Sequence, residues 1–149
     1  MKIIIDTREQ TPWAFPLDLA ESARGTLSEG DYALEGDDGF AIERKSLSDF
    51  LGTISTGWQR FKRELNRMDN KGFPAKVIIV EGDTMECFFG PNCEPPTHDH
   101  PNLTPQFISK RIAQLVYDHR CAVLFAGSAP IAAGLAVQIF RRRLASLED

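Results

Sequence analysis

The chain has 149 residues, 42% of them apolar, and a formal net charge of −4. That length suits one compact domain with a real core and leaves no room for a second, while the net acidity excludes a protein that coats nucleic acid through a broad basic surface. No apolar run approaches a membrane span, Ile3-Ile4-Ile5 is too short for a signal peptide, and Cys87, Cys93 and Cys121 give an odd cysteine count. A soluble, intracellular protein with reduced thiols and no membrane partner is expected.

Lys2 to Asp6 reads as a buried strand, because three consecutive isoleucines favour a pleated, packed environment. Thr7 to Leu19, with Pro12, Trp13, Phe15 and Pro16 at no clear period, reads as a loop anchored by its aromatics. Gly25 to Gly30 leads to a second strand near Tyr32 to Glu35. Gly36-Asp37-Asp38-Gly39 has the composition of a tight hairpin turn, and Phe40 to Arg44 resumes extended structure.

Ser46 and Asp49 form a capping-box pattern that opens a short helix to about Ile54. In the next helix Trp58, Phe61, Leu65 and Met68 recur at spacings of three and four and share a buried face, leaving a cationic polar side. Val77 to Val80 is the β-branched run of a strand covered on both faces, and Ala122 to Ala126 is a weaker example. Thr104-Pro105 starts a helix to about Asp118, and Ser128-Ala129-Pro130 starts a last one to about Leu147. The order of elements predicts an α/β layered domain. Phe88 to Asn102, rich in proline, cysteine and histidine, resists assignment.

The chemistry gathers between Gly30 and Lys45. On an extended Phe40 to Arg44, residues two apart share a face, so Glu43 and Lys45 project together while Arg44 points away. A hairpin partner can bring Asp31 beside them. Two carboxylates hold a hard divalent cation such as Mg²⁺, and a lysine beside the attacking water can orient it, which suits phosphodiester hydrolysis. The same short pattern also suits an ordinary cross-strand ion pair. Between Arg44 and Lys76, eight Lys and Arg stand against three Asp and Glu, a local excess of +5 directly after the carboxylates. Taken alone that strip is a solvated helix face; beside the carboxylates it is a candidate DNA contact.

The longer string is more specific. Gly30-Asp31, then Glu43-Arg44-Lys45 and Asp49, resembles the signature of the XPF-type structure-specific endonucleases, and Asp6-Thr7-Arg8-Glu9 resembles that family's first-strand element. The resemblance implies a restriction-endonuclease-like fold, a central mixed β-sheet flanked by helices. It implies a DNA endonuclease dependent on Mg²⁺ or Mn²⁺, acting on branched, forked or flapped DNA in repair or recombination and leaving a 5′-phosphate and a 3′-hydroxyl.

By position, the resemblance makes Asp31 and Glu43 metal ligands, Glu9 the further acidic ligand and Lys45 the catalytic lysine. Arg44 and Asp49 become structural or phosphate-positioning members, with Asp49 also a helix cap on spacing. Asp6 and Arg8 support the site from the first strand's end, and Gln59, Arg60, Arg63 and Arg67 face DNA. Larger members add a tandem helix-hairpin-helix module, and some a helicase, for which 149 residues have no room. Such a compact chain suits a phage or bacterial protein. Family nuclease domains pair through C-terminal helices, and Ile131, Leu135, Ile139 and Phe140 could supply the contact face of a homodimer or merely cover the sheet. Cys87, Cys93, His98 and His100 have the ligand types of a structural zinc at a spacing that matches no familiar knuckle. The alternative there is a proline-stiffened loop around a packed Cys87. Arg141-Arg142-Arg143 complements a helix C-terminus, with DNA contact as the other reading.

Overall fold

The structure, a computed structural model, describes residues 1–94 and 100–149. The isoleucine run forms β1 (Lys2–Asp6), followed by β2 (Glu21–Gly25), β3 (Tyr32–Leu34) and β4 (Ile42–Ser46). Two helices, α1 (Leu47–Ile54) and α2 (Trp58–Asn70), cross over to β5 (Lys76–Glu81). Then come α3 (Thr84–Phe89), α4 (Pro105–Tyr117), β6 (Cys121–Ala126) and α5 (Ala129–Glu148). The six strands form one mixed sheet in the order β2-β1-β3-β4-β5-β6. Only β3 runs against its neighbours; β1, β2, β4, β5 and β6 all point the same way.

Local chemistry explains the boundaries. Ser46, Thr104 and Ser128 each accept a backbone N–H three residues on, from Asp49, Phe107 and Ile131, so each satisfies a donor that the first helical turn leaves without a partner. Asp83 does the same for α3, a helix the sequence reading did not expect. The reading also missed β2. Its sequence Glu-Ser-Ala-Arg-Gly is polar and largely exposed, yet it pairs in parallel with β1 along its whole length as an edge strand. The tight hairpin turn is corrected too: β3 and β4 share a single registered pair, Tyr32 with Ile42, and a seven-residue connection separates the strands. Asp37 shapes that connection by accepting from Gly39 N–H, and it ties the loop to α5 through Arg143 at 2.8 and 2.9 Å.

Alternation along the strands sorts the core into two layers. Ile3, Ile5, Tyr32, Ile42, Val77 and Ile79 face α5, where Ala132, Ala136 and Phe140 are fully buried. Ala33, Ile78 and Val80 face the other way, onto Phe50 and Ile54 of α1, Phe61 and Leu65 of α2, and Ile108 and Leu115 of α4. Each such aliphatic or aromatic side chain taken from water contributes about 1.5–3 kcal/mol. Phe140 therefore belongs to the sheet's cover and not to a contact face, although Ile131 and Leu135 on the same helix are exposed. Among the described residues no helix is long and apolar enough to cross a membrane.

Candidate active site

The site lies at the C-terminal end of the co-directional strands. Gly30 and Asp31 lead into β3 beside the end of β1, where Asp6 N–H donates to Asp31 C=O at 2.9 Å. Gly30 sits at φ +71°, and a Cβ there would fall 2.6 Å from Ala41 Cβ. Only glycine allows both the left-handed turn and the close approach of the β4 entry. On β4, Glu43 and Lys45 project to the α2 side with Glu43 Oε2 3.6 Å from Lys45 Nζ. Lys45 Nζ also lies 6.0 Å above the Phe61 ring of α2.

Asp31, Glu43 and Lys45 line one open cavity of about 260 Å³ with Arg8, Glu64 and Arg67. Asp31 is fixed by Arg44 N–H, which donates to its Oδ2 at 2.7 Å. Burial, followed by the charge of Asp31, pushes the Glu43 carboxyl well above the ordinary carboxylate range, and Lys45 offsets only part of this. Burial beside a second carboxylate disfavours the charged form of Glu43, a cost that a bound cation would offset. A larger hollow of about 770 Å³ beside α1 has one carboxylate, Glu86, in its lining, so chemistry and not size singles out the smaller cavity.

Mg²⁺ or Mn²⁺ fits this donor set, since such ions take one or two carboxylates and complete their shell with water and substrate phosphate. Among the described residues no three or more His, Cys, Asp or Glu gather as a metal-holding group. The cavity lining also holds Glu64 and Glu29, the latter tied to Arg67 and Lys71, and the carboxylates that stand against each other are Asp31 and Glu43. The structure does not bring Glu9 to that pair. Its Oε2 accepts from Tyr32 O–H at 3.0 Å and from Arg44 Nη1 at 3.2 Å, on the α5 side of the sheet. Strand alternation turns Arg44 away from Glu43 and Lys45, and Glu9 follows Arg44.

Asp6 is fully buried on the cavity side of the sheet. Burial raises its carboxyl, but hydrogen bonds from Leu27 N–H and from the Arg8 side chain and N–H outweigh it and hold the group below the ordinary range. Arg8 Nε donates to Asp6 at 2.6 Å while most of the Arg8 side chain stays in solvent at the cavity mouth. Asp49 is exposed in the first turn of α1, where its N–H is capped by Ser46, and it does not line the cavity. On α2, Arg67 is partly engaged by the buried Glu29 at 3.1 Å, and Lys71 joins it at 3.4 Å. Arg60 lies on the same flank as Glu64 and Arg67, whereas Arg63 and Gln59 turn to the outer side of the helix; all three are exposed.

Four participants escaped the sequence reading: Glu29, Glu64, Glu81 and Tyr32. Glu29 directly precedes the Gly30-Asp31 turn, which was the available signal. Cys87 is packed in the core with its thiol pushed up to about 12 by burial, while Cys93 and His100 are exposed. His98 lies outside the described residues. Arg143 pairs with Asp37, and Arg141 and Arg142 are exposed.

Solved structures that the fold matches include XPF from Aeropyrum pernix in complex with DNA and XPF from Aeropyrum pernix, each at 21% identity. The TM-scores are 0.70 and 0.69, over 97% and 96% of this chain but 65% and 61% of those chains, so this chain spans less than two thirds of each. No curated protein matches. The family model described as the ERCC4 domain matches residues 5–139, and the chain belongs to the ERCC4 domain family.

Proposed function

We propose that this chain is a DNA endonuclease dependent on Mg²⁺ or Mn²⁺, hydrolysing phosphodiester bonds in branched, forked or flapped DNA and leaving a 5′-phosphate and a 3′-hydroxyl. The observation that carries the reading is the meeting of Asp31, Glu43 and Lys45 in one polar cavity beside a cationic helix. The solved complex of a fold relative with DNA supports DNA as the ligand.

In this reading Asp31 and Glu43 hold the cation, which when bound polarises the scissile phosphate and acidifies water. Lys45 holds the attacking water by its ammonium group and stabilises charge developing on the phosphate oxygens. Arg8, anchored through Nε on Asp6 and reaching Leu27 C=O through Nη2, offers Nη1 to a phosphate at the cavity mouth. Arg60 and Arg63 grip the backbone further along, with charge and without base readout. The exposed Ile131 and Leu135 on α5 supply the apolar part of a homodimer contact.

The test is cleavage of a labelled fork, flap, nick and single strand side by side, with Asp31→Asn as the control. Cutting of the fork or flap that requires Mg²⁺ and vanishes in Asp31→Asn, at unchanged melting temperature, is the expected result. Preference for the single strand or simple ends would make the protein a nuclease of the same chemistry on another substrate. Tight DNA binding without any cleavage would make it a DNA scaffold.

A further inference from the structure

We infer that the ionic cluster on the far face of β4, formed by Arg44 with Glu9, Glu81, Tyr32 and Trp13, is a positioning device for Asp31, with Glu9 one of its members. The inference rests on the functional reading above, and it gives a role to the acidic residue that the cavity does not contain.

The near side of the device is an amide. The β3–β4 ladder holds one registered pair, closed by Asp31 N–H donating to Ile42 C=O at 2.9 Å. The next amide on that edge of β4 is Arg44 N–H, and its acceptor is the Asp31 carboxylate itself, at 2.7 Å. Asp31 thus hangs on β4 by its side chain, and wherever the Arg44 amide lies, Oδ2 follows.

The far side is a guanidinium held by five residues. Arg44 Nε meets Glu81 Oε1 at 2.6 Å, and Nη2 meets Oε2 at 3.3 Å, so the end of β5 grips it with both carboxylate oxygens. Its Nη1 donates to Thr11 C=O at 2.6 Å, to Glu9 Oε2 at 3.2 Å and to Tyr32 Oη at 3.3 Å. The guanidinium lies 5.3 Å over the Trp13 ring, and the Trp13 indole N–H itself donates to Glu81. Tyr32 O–H donates to Glu9 at 3.0 Å and its oxygen accepts from the Trp13 backbone N–H at 2.9 Å. The loop after β1, together with β3, β4 and β5, is tied at the one residue whose amide holds a candidate cation ligand. Such outer partners fix ligand orientation, and losing one typically weakens metal affinity by about 10–100-fold.

The experiment uses Glu81→Ala and Glu81→Gln, because Glu81 lies outside the cavity lining. Mn²⁺ alone is titrated into each folded protein and followed by the electron paramagnetic resonance of free Mn²⁺. Hydrogen exchange of the Arg44 amide and the melting temperature are measured alongside. Glu81→Ala should weaken Mn²⁺ binding by roughly 10-fold or more and speed Arg44 amide exchange well beyond that of Ile79, its partner on β5. Glu81→Gln, which keeps an acceptor, should fall between. Glu9→Gln should move both readouts in the same direction, whereas a Glu9 that bound the cation directly would lose Mn²⁺ affinity with Arg44 exchange unchanged. A lowered melting temperature with wild-type Mn²⁺ affinity and exchange in Glu81→Ala would overturn the inference and leave the cluster as plain structural support. If the wild type binds no Mn²⁺, the proposed function fails, and amide exchange alone decides the device: unaltered exchange overturns it.

Discussion

Replacing Gly30 by alanine tests how tightly the turn before Asp31 is built. The φ of +71° lies in the left-handed region, which costs a residue with a Cβ about 1–2 kcal/mol. The new methyl would stand 2.6 Å from Ala41 Cβ and 3.2 Å from Ile42 O. Ordinary carbon contacts lie at about 3.5–4.0 Å, so the two strands must separate by about 1 Å. Ala41 is buried and packed against the α2 layer, and forcing a group into such a site costs roughly 1–3 kcal/mol more. The sum is roughly 2–5 kcal/mol, and at about 4 °C per kcal/mol for a domain of this size the melting temperature should fall by roughly 8–20 °C. Urea unfolding of wild type, Gly30→Ala, Ala41→Gly and the double variant closes a cycle. The coupling should recover the steric part and leave about 1–2 kcal/mol from the backbone. A single-variant cost under about 0.5 kcal/mol, the level of an ordinary surface change, would refute this account of the turn.

Lys45→Ala should leave Mn²⁺ affinity near wild type while single-turnover cleavage falls by ~10²–10⁴-fold; an unchanged rate would reduce Lys45 to a strand-surface residue. Arg60→Ala with Arg63→Ala should weaken DNA binding more at low than at high salt, because exposed phosphate contacts act through counterion release; an affinity loss independent of salt would remove α2 from the DNA path. Asp37→Asn should cost about 1.5–3 kcal/mol at neutral pH, the worth of charged hydrogen bonds. The Arg143 guanidinium, working against burial and aided by Gly39 N–H, holds the Asp37 carboxyl below its usual value of 3.8. A depressed carboxyl contributes stability above the unfolded value and loses it as pH falls through the folded one, so the gap between wild type and variant in urea unfolding should close below about pH 4. A constant gap down to pH 2 would contradict it.

The parts of the fold that announced themselves are those whose side chains must face a core or close a helix. Val77 to Val80 had to be covered on both faces, and Ser46, Thr104 and Ser128 each stand where a helix leaves N–H groups open. β2 was invisible for the opposite reason: backbone hydrogen bonds to β1 hold it, and its exposed Glu21, Ser22 and Arg24 carry no apolar alternation. α3 is short and turns Met85 to solvent, so no period marks it. Within the site, alternation along β4 was enough to put Glu43 and Lys45 together and Arg44 opposite. Glu9 was different, because a loop residue has no period. Its face is set by Tyr32 and Arg44, 23 and 35 residues further along, and such partners can be known only once the sheet is assembled.

The two-sided order of Glu43, Arg44 and Lys45 limits how this gene can change length. Between Leu34 and Ile42 no ladder pair fixes the count, so a residue gained or lost there leaves the faces of β4 unchanged and disturbs only local ties such as Asp37 with Arg143. A single codon inserted or deleted inside β4 would rotate every following side chain through the sheet. Arg44 would then be driven into the cavity and Lys45 under Trp13 and Tyr32, disabling the chemistry and the packing in one event. Length variation among relatives should therefore concentrate before Ile42 and stay out of the Glu43 to Lys45 triplet.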